Sequence, residues 1–180
     1  MQTFVSILRG INVGGHRKIL MADLRMLYQE LGFDSIRTYI QSGNLVFQSE
    51  CLNAAELGVQ IEQKIVDKYG FSVSVFVRTY DEMQQIVSQN PYVHAGIEED
   101  KLFVVFLEKK PNQDKIDQLL KFQNSLEGCI VIAQTVYLHC PFGYGRTKLS
   151  NQFIENKLQL AASTRNWKTV NSLLGMMSLN

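Results

Sequence analysis

Glycines and cations crowd into one short stretch near the start of the chain, Gly10-Ile-Asn-Val-Gly-Gly-His-Arg-Lys18. A loop of that composition between a strand and a helix can present backbone N–H groups beside a helix N-terminus, which attracts anions. Gly10 and Gly15 satisfy the first part of phosphate-loop spacing, G-x-x-x-x-G, but His16 and Arg17 stand where the lysine and the Mg²⁺-binding hydroxyl belong. Nucleoside triphosphate chemistry is therefore not expected, and dinucleotide spacing, G-x-G-x-x-G, is absent as well. Two readings stay open: an anion-recognition loop using Gly14, Gly15, His16, Arg17 and Lys18, or a tight turn that merely needs its glycines.

A second polar cluster, Gln41-Ser42-Gly43-Asn44, has the composition of a hairpin turn. In a βαββαβ unit the end of the first strand and the second hairpin share one edge of the sheet. Asn12, Gln41, Ser42 and Asn44 are then expected around the cationic loop, as neutral donors and acceptors that orient a ligand. Arg165 in Arg165-Asn-Trp-Lys168 is a further candidate, expected in the first turn of a helix capped by Ser163 or Thr164, where a cation opposes the helix dipole. Trp167 heads an apolar stripe with Val170 and Leu174 and is expected in the core.

The sequence contains no recognisable catalytic set. His16, His94 and His139 are isolated from one another, with no H-E-x-x-H and no Cys/His ligand spacing, so neither a metal site nor a cofactor is expected. No G-x-S-x-G elbow is present, and the adjacent His139 and Cys140 point to opposite faces of an extended segment. No catalytic residue can be assigned, and whether the chain is an enzyme stays open.

The elements that position these residues follow from periodicity. Thr3–Leu8, Ser35–Ile40, Leu45–Gln48 and Ser72–Val77 read as strands. Between them, Leu20, Leu24, Leu27 and Leu31 recur at helical spacing before Gly32, and Leu57, Ile61 and Ile65 stripe a helix capped by Asn53 and stopped by Gly70. Thr79 and Glu82 form a capping box for a helix that Asn90-Pro91 ends. Residues 91–100 read as a linker, and Leu102–Leu107 (LFVVFL) as a strand buried on both faces. A helix through Ile116 and Leu119 and a hairpin of Cys129–Ile132 with Thr135–His139 follow. Helices are expected from about Ser150 to Leu158 and from Thr164 to Met177. The fold expected is α+β: two ferredoxin-like (split βαβ) halves, with antiparallel or mixed sheets and helices on one face. The first half, 1–78, is βαββαβ; the second, 79–180, is a βαββ-type half with C-terminal helices.

Composition agrees with a folded protein. With 180 residues, 46% of them hydrophobic and 19% charged, the chain needs no metal or disulfide to build a core. The net charge is +1, which provides no general attraction for nucleic acid or membranes. Charge is uneven, at −4 over residues 79–139 and +4 over 140–180. Three cysteines without CxxC spacing are expected to stay reduced, and the first ten residues lack the pattern of a signal peptide, so a cytoplasmic location is expected.

Leu8-Arg-Gly-Ile-Asn-Val-Gly-Gly15, Met21-Ala-Asp-Leu24, Thr38-Tyr-Ile-Gln-Ser-Gly-Asn44 and Thr164-Arg-Asn-Trp167 lie in order along the chain. Together they resemble an uncharacterised bacterial family, the domain of unknown function family 1697. The resemblance implies a two-part α+β fold and carries no activity or catalytic residue. Three functions remain, in decreasing order of support. The first is binding of a small anionic or nucleotide-like ligand at the Gly10–Lys18 loop. A protein-interaction or dimerisation module without ligand comes second, its oligomeric state open, and weak nucleic-acid binding on the sheet third. The last has only Phe4 and Phe47 in its favour and lacks the basic-Gly-aromatic pattern of RNA-binding strands.

Overall fold

The computed structural model describes residues 1–122 and 126–178. Two compact units divide the chain, Met1–Gln84 with the segment from Ser172 onward, and Gln85–Asn171.

In the first unit β1 (Gln2–Leu8), α1 (Met21–Glu30), β2 (Asp34–Tyr39), β3 (Asn44–Ser49), α2 (Ala54–Tyr69) and β4 (Val75–Thr79) follow one another, and the sheet order is β2-β3-β1-β4. Every pairing is antiparallel. Both helices pack on one face, where Phe4, Leu8, Leu45 and Phe47 meet Leu24, Leu27, Tyr28, Leu57, Ile61 and Ile65. Phe47 stacks on Phe33 at 4.6 Å between ring centroids and meets the Tyr28 ring edge-on at 5.3 Å. The Tyr28 hydroxyl lies 2.7 Å from Ser6 Oγ, so the one polar atom of that cluster has a partner. Asn53 caps α2 through the amides of Ala55 and Glu56, and Gly70 ends it in the left-handed conformation, φ 74°. The Thr79–Glu82 capping box is present: Thr79 N donates to Glu82 Oε2 at 2.8 Å, and Glu82 N to Thr79 Oγ1 at 3.2 Å. It opens α3 (Tyr80–Ser88).

The buried stripe of α1 differs from the expected one. Leu20 is 69% exposed and precedes the helix, while Met21, Leu24, Leu27 and Tyr28 face the core. Leucines four apart satisfy the period equally well, and the start of the helix decides which of them face inward.

The second unit contains α4 (Pro91–His94), β5 (Leu102–Leu107), α5 (Gln113–Leu120), β6 (Gly128–Ile132), β7 (Thr135–His139), α6 (Asn151–Leu158) and β8 (Ala162–Asn166), with α7 (Trp167–Met177) following. The sheet order is β6-β7-β5-β8, again wholly antiparallel. This is the order of the first sheet repeated. β5 lies between β7 and β8, and Leu102 and Val104 through Leu107 are all buried, as a run apolar on both faces requires. Pro91 does not begin a linker. It occupies the first position of α4, and Asn90 caps that turn through the Tyr92 amide at 3.0 Å.

The sequence reading missed β8. Residues 164–166, expected in a helix, form a strand that pairs Thr164 with Val105, Arg165 with Val104 and Asn166 with Phe103. The run Ala-Ser-Thr-Arg-Asn has little intrinsic strand signal; the open edge of β5 supplies the hydrogen bonds that make it one. The helix cap moves accordingly. Asn166 Oδ1, not Ser163 or Thr164, accepts from an amide of the first turn, that of Thr169, at 2.8 Å. The second half is thus βαββαβ rather than βαββ followed by helices.

Candidate functional site

The Gly10–Lys18 loop is a stapled finger. Ile11 and Ile19, 1% and 2% exposed, anchor its two ends in the core, and residues 13–18 between them are exposed. At the tip, His16 N donates to Val13 O at 3.1 Å, and Gly14 and Gly15 have φ of 59° and 79°. Positive φ at both central residues is the signature of a type I′ turn, which glycine adopts without strain. Five residues separate these glycines from α1, whose N-cap, Leu20, has no capping side chain. A phosphate-cradling loop leads its glycines directly into the helix; here the finger stands away from it.

Asn12 holds the finger in shape. Its backbone N donates to Arg17 O at 3.2 Å. Its Oδ1 accepts from Ile19 N, and its Nδ2 donates to both Ile19 O and Gln41 O, each at 2.9 Å. The last of these ties the loop to the β2–β3 hairpin. Leu8 N adds a bond to Gly43 O at 2.8 Å. Gly43, at φ 72°, lies so close that a Cβ there would sit 2.8 Å from Leu8 Cβ and from Ile11 Cδ1. Loop and hairpin tip are therefore one packed unit at one edge of the first sheet.

Within that unit the sequence-derived residues fall into two groups. Asn12, Gly14, Gly15, Ser42 and Asn44 build the scaffold: Asn44 is fully buried and its amide nitrogen donates to Ser42 Oγ at 2.8 Å and Tyr39 O at 3.3 Å. His16, Arg17, Lys18 and Gln41 are exposed. The first three make no side-chain hydrogen bond or ion pair with any described residue. Arg17, at φ 48°, folds its guanidinium over Gly10, with Nη1 3.9 Å from the position a Cβ would take.

Arg165 belongs to the second unit. It sits on β8, and its Nη1 donates to Ser163 Oγ at 2.9 Å and to Thr164 O at 2.8 Å. Burial pushes its pKa down to about 10, so it stays protonated at neutral pH. Being on a strand, it does not oppose a helix dipole. Trp167 is 3% exposed, a core residue. Phe4 and Phe47 are fully buried on the helix-covered side of the first sheet, so neither offers a ring on which a base could stack.

The cysteines are all free, Cys129 and Cys140 buried together in the second core and Cys51 half-buried. Burial pushes the thiol pKa of Cys129 up to about 12 and that of Cys140 up to about 11. Two arginines escaped the sequence reading. Arg25 and Arg37 line a groove between α1 and β2. Arg25 and Gln29 are spaced four apart on the polar face of α1, the one signal of a shared surface.

Residues 1–137 match a protein family of unknown function, DUF1697. No curated protein matches the chain. Among solved structures, the conserved bacterial protein SP0830 from Streptococcus pneumoniae is similar at a TM-score of 0.77 and 20% identity, over 98% of this chain and 99% of that one. At that identity the likeness concerns the fold. No helix of the described residues is long and apolar enough to cross a membrane.

Proposed function

The chain belongs to the DUF1697 family, and from that premise we propose a binding role: the Gly10–Lys18 finger recognises an anionic group, a phosphate or a carboxylate, on a small or nucleotide-like ligand. The observation that carries this reading is the state of His16, Arg17 and Lys18. They are consecutive, exposed and without a side-chain partner among the described residues, on a loop whose backbone Asn12 has already ordered. Ordering a loop in advance lowers the entropy lost on binding. Arg17 supplies a fork that matches two oxygens of a phosphate or carboxylate, and Lys18 a second charge. Gln41, exposed beside them, contributes a neutral amide.

The test is a thermal shift series with inorganic phosphate, nucleoside mono- and triphosphates and citrate, on the wild type and on Arg17→Ala. A ligand that binds only the native state raises its melting temperature. The wild type is expected to respond to at least one anion beyond the effect of matched ionic strength. Arg17→Ala is expected to bind it about tenfold more weakly, the loss of one charge-assisted pair. Its stability without ligand should change by less than about 0.5 kcal/mol. Equal responses of the two proteins, or no specific response, would retire the reading.

A second reading, an interaction module, is favoured by Val13, Leu20 and Ile40, which are 64%, 69% and 54% exposed on the finger and the hairpin joined to it. Sedimentation velocity discriminates. Self-association that Ile40→Ser removes, together with indifference to anions, selects the interaction module. Nucleic-acid recognition ranks last because its stacking aromatics, Phe4 and Phe47, lie inside the core.

A further inference from the structure

Gln48 pairs with Thr3 near one end of β3, while Asn44 pairs with Ile7 at the other, beside the glycine finger. Near Gln48 an open groove of about 780 Å³ runs between α1 and the edge strand β2. Its chemistry comes from Arg25 and Gln29 on α1, from Asp34, Ser35 and Arg37 on β2, and from Gln48 on β3. The second unit has a groove in the equivalent place, between α5 and the edge strand β6, of about 630 Å³. Its walls carry Ile116, Leu120, Ile130 and Val131 alongside Gln113, Glu127 and His139. One topology therefore produces this hollow twice, lined by two arginines in the first unit and by none in the second.

Three features of the first groove point to a ligand. Neither arginine has a side-chain hydrogen bond or ion pair with any described residue, although each lines the same hollow. Arg37 Nε is buried without an acceptor, a state that costs free energy and that native structures rarely tolerate. An anion bound in the groove would offer this guanidinium the acceptor it lacks. The floor is already set: Ser35, at φ 51° where β2 bulges between Asp34 and Arg37, donates through Oγ to Gln48 Oε1 at 3.0 Å. Asp34 then decides the ligand class. Its carboxylate, on the same lining as the two arginines, disfavours polyanions and offers an acceptor to any donor a single anion carries.

We propose that the α1–β2 groove binds a small carboxylate that also bears a hydrogen-bond donor, the class of amino acids, short peptides and hydroxy acids. Arg37 and Arg25 hold the carboxylate, and Asp34 accepts from the ammonium or hydroxyl. This site shares no residue with the finger, so the two readings stand or fall separately.

Isothermal titration calorimetry on the full chain tests it, with L-serine, glycylglycine, L-lactate, propionate and inorganic phosphate as probes. The wild type and Arg17→Ala are expected to bind at least one donor-bearing carboxylate equally well, and propionate about tenfold more weakly or not at all. Arg37→Ala and the exposed-site variant Arg25→Ala should each lose about tenfold or more, and Arg37→Lys, which keeps charge but not the fork, nearly as much. Asp34→Asn should remove the preference over propionate. Absence of saturable binding by every carboxylate, unchanged affinity in both arginine-to-alanine variants, or binding of phosphate alone would each overturn the assignment. An affinity that falls only in Arg17→Ala would overturn it too, by placing the ligand on the finger.

Discussion

In the first unit the chain takes twelve residues, 9–20, to pass from its first strand to its first helix; in the second it takes five, 108–112. The hairpins differ in the same sense, four residues at 40–43 against two at 133–134. Around these insertions the backbone repeats itself bond for bond. Leu8 N donates to Gly43 O at 2.8 Å, and Leu107 N to Gln134 O at 3.0 Å. Arg9 N donates to Ser74 O at 2.9 Å, and Glu108 N to Ala161 O at 3.1 Å. The second unit thus demonstrates that this topology closes without a glycine finger. What the first unit adds is held by Asn12 and carries His16, Arg17 and Lys18, whose side chains have no hydrogen-bond or ion-pair partner among the described residues.

The comparison breaks most readily at the hairpin tips. Gly43→Ala places a Cβ against Leu8 and Ile11 at a left-handed position, and should cost about 3 kcal/mol in urea unfolding. Gln134→Ala, at the matching acceptor of the second unit, should stay within about 0.5 kcal/mol. A Gly43→Ala protein as stable as the wild type would mean that finger and hairpin are not packed as one.

The cores differ in their response to alkali. Cys129 and Cys140, both in the second unit, have native pKa values of about 12 and about 11, above the 9.0 of a free thiol. A raised native pKa means that the unfolded chain releases its thiol protons first. The stabilisation is complete below pH 9 and is lost as pH climbs toward the native values, by about 1 kcal/mol per thiol at pH 10. Cys129→Ala with Cys140→Ala should flatten that alkaline decline, measured as urea midpoints between pH 8 and 10. An aromatic disulfide reagent at pH 8 should label half-buried Cys51 first and the other two only on unfolding.

The smallest effect is the sharpest test of function. Ile40 and Ala133 are the first loop residues of their hairpins, with φ of 49° and 51°. Glycine relieves a left-handed residue, so Ala133→Gly should raise stability by about 0.5 kcal/mol. Ile40→Gly should do the same, because the Ile40 side chain is 54% exposed. If it also abolishes a binding signal that Ala133→Gly leaves intact, the strained isoleucine is part of the recognition surface.

Much of this molecule was readable in its sequence, and the failures are local. Local hydrogen-bond chemistry carries the capping residues Asn53 and Thr79 with Glu82, the stop at Gly70 and the hairpin at Ser42-Gly43, and each stands where its residue types indicate. The closeness of Asn12 to Gln41 follows from the topology of a βαββαβ unit, and the 2.9 Å bond between them realises it. By contrast Asn12, Ser42 and Asn44 read from sequence as ligand-orienting groups, while their side chains bond within the loop and hairpin. An asparagine that staples a backbone and one that meets a ligand have the same letter and the same loop context.

The family, the α+β class and the βαββαβ order of the first half were set by the sequence alone, because periodicity, caps and glycine positions act over a few residues. β8 needed the tertiary structure: Ala-Ser-Thr-Arg-Asn becomes a strand only because β5 offers an open edge. The α1–β2 groove needed it as well. Arg25 and Arg37 are twelve positions apart in the chain, and only the packing of a helix against an edge strand puts both on one hollow. Burial decided the rest, leaving His16, Arg17 and Lys18 in solvent and taking Phe4 and Phe47 into the core, since exposure is a property of the packed chain and not of any residue in it.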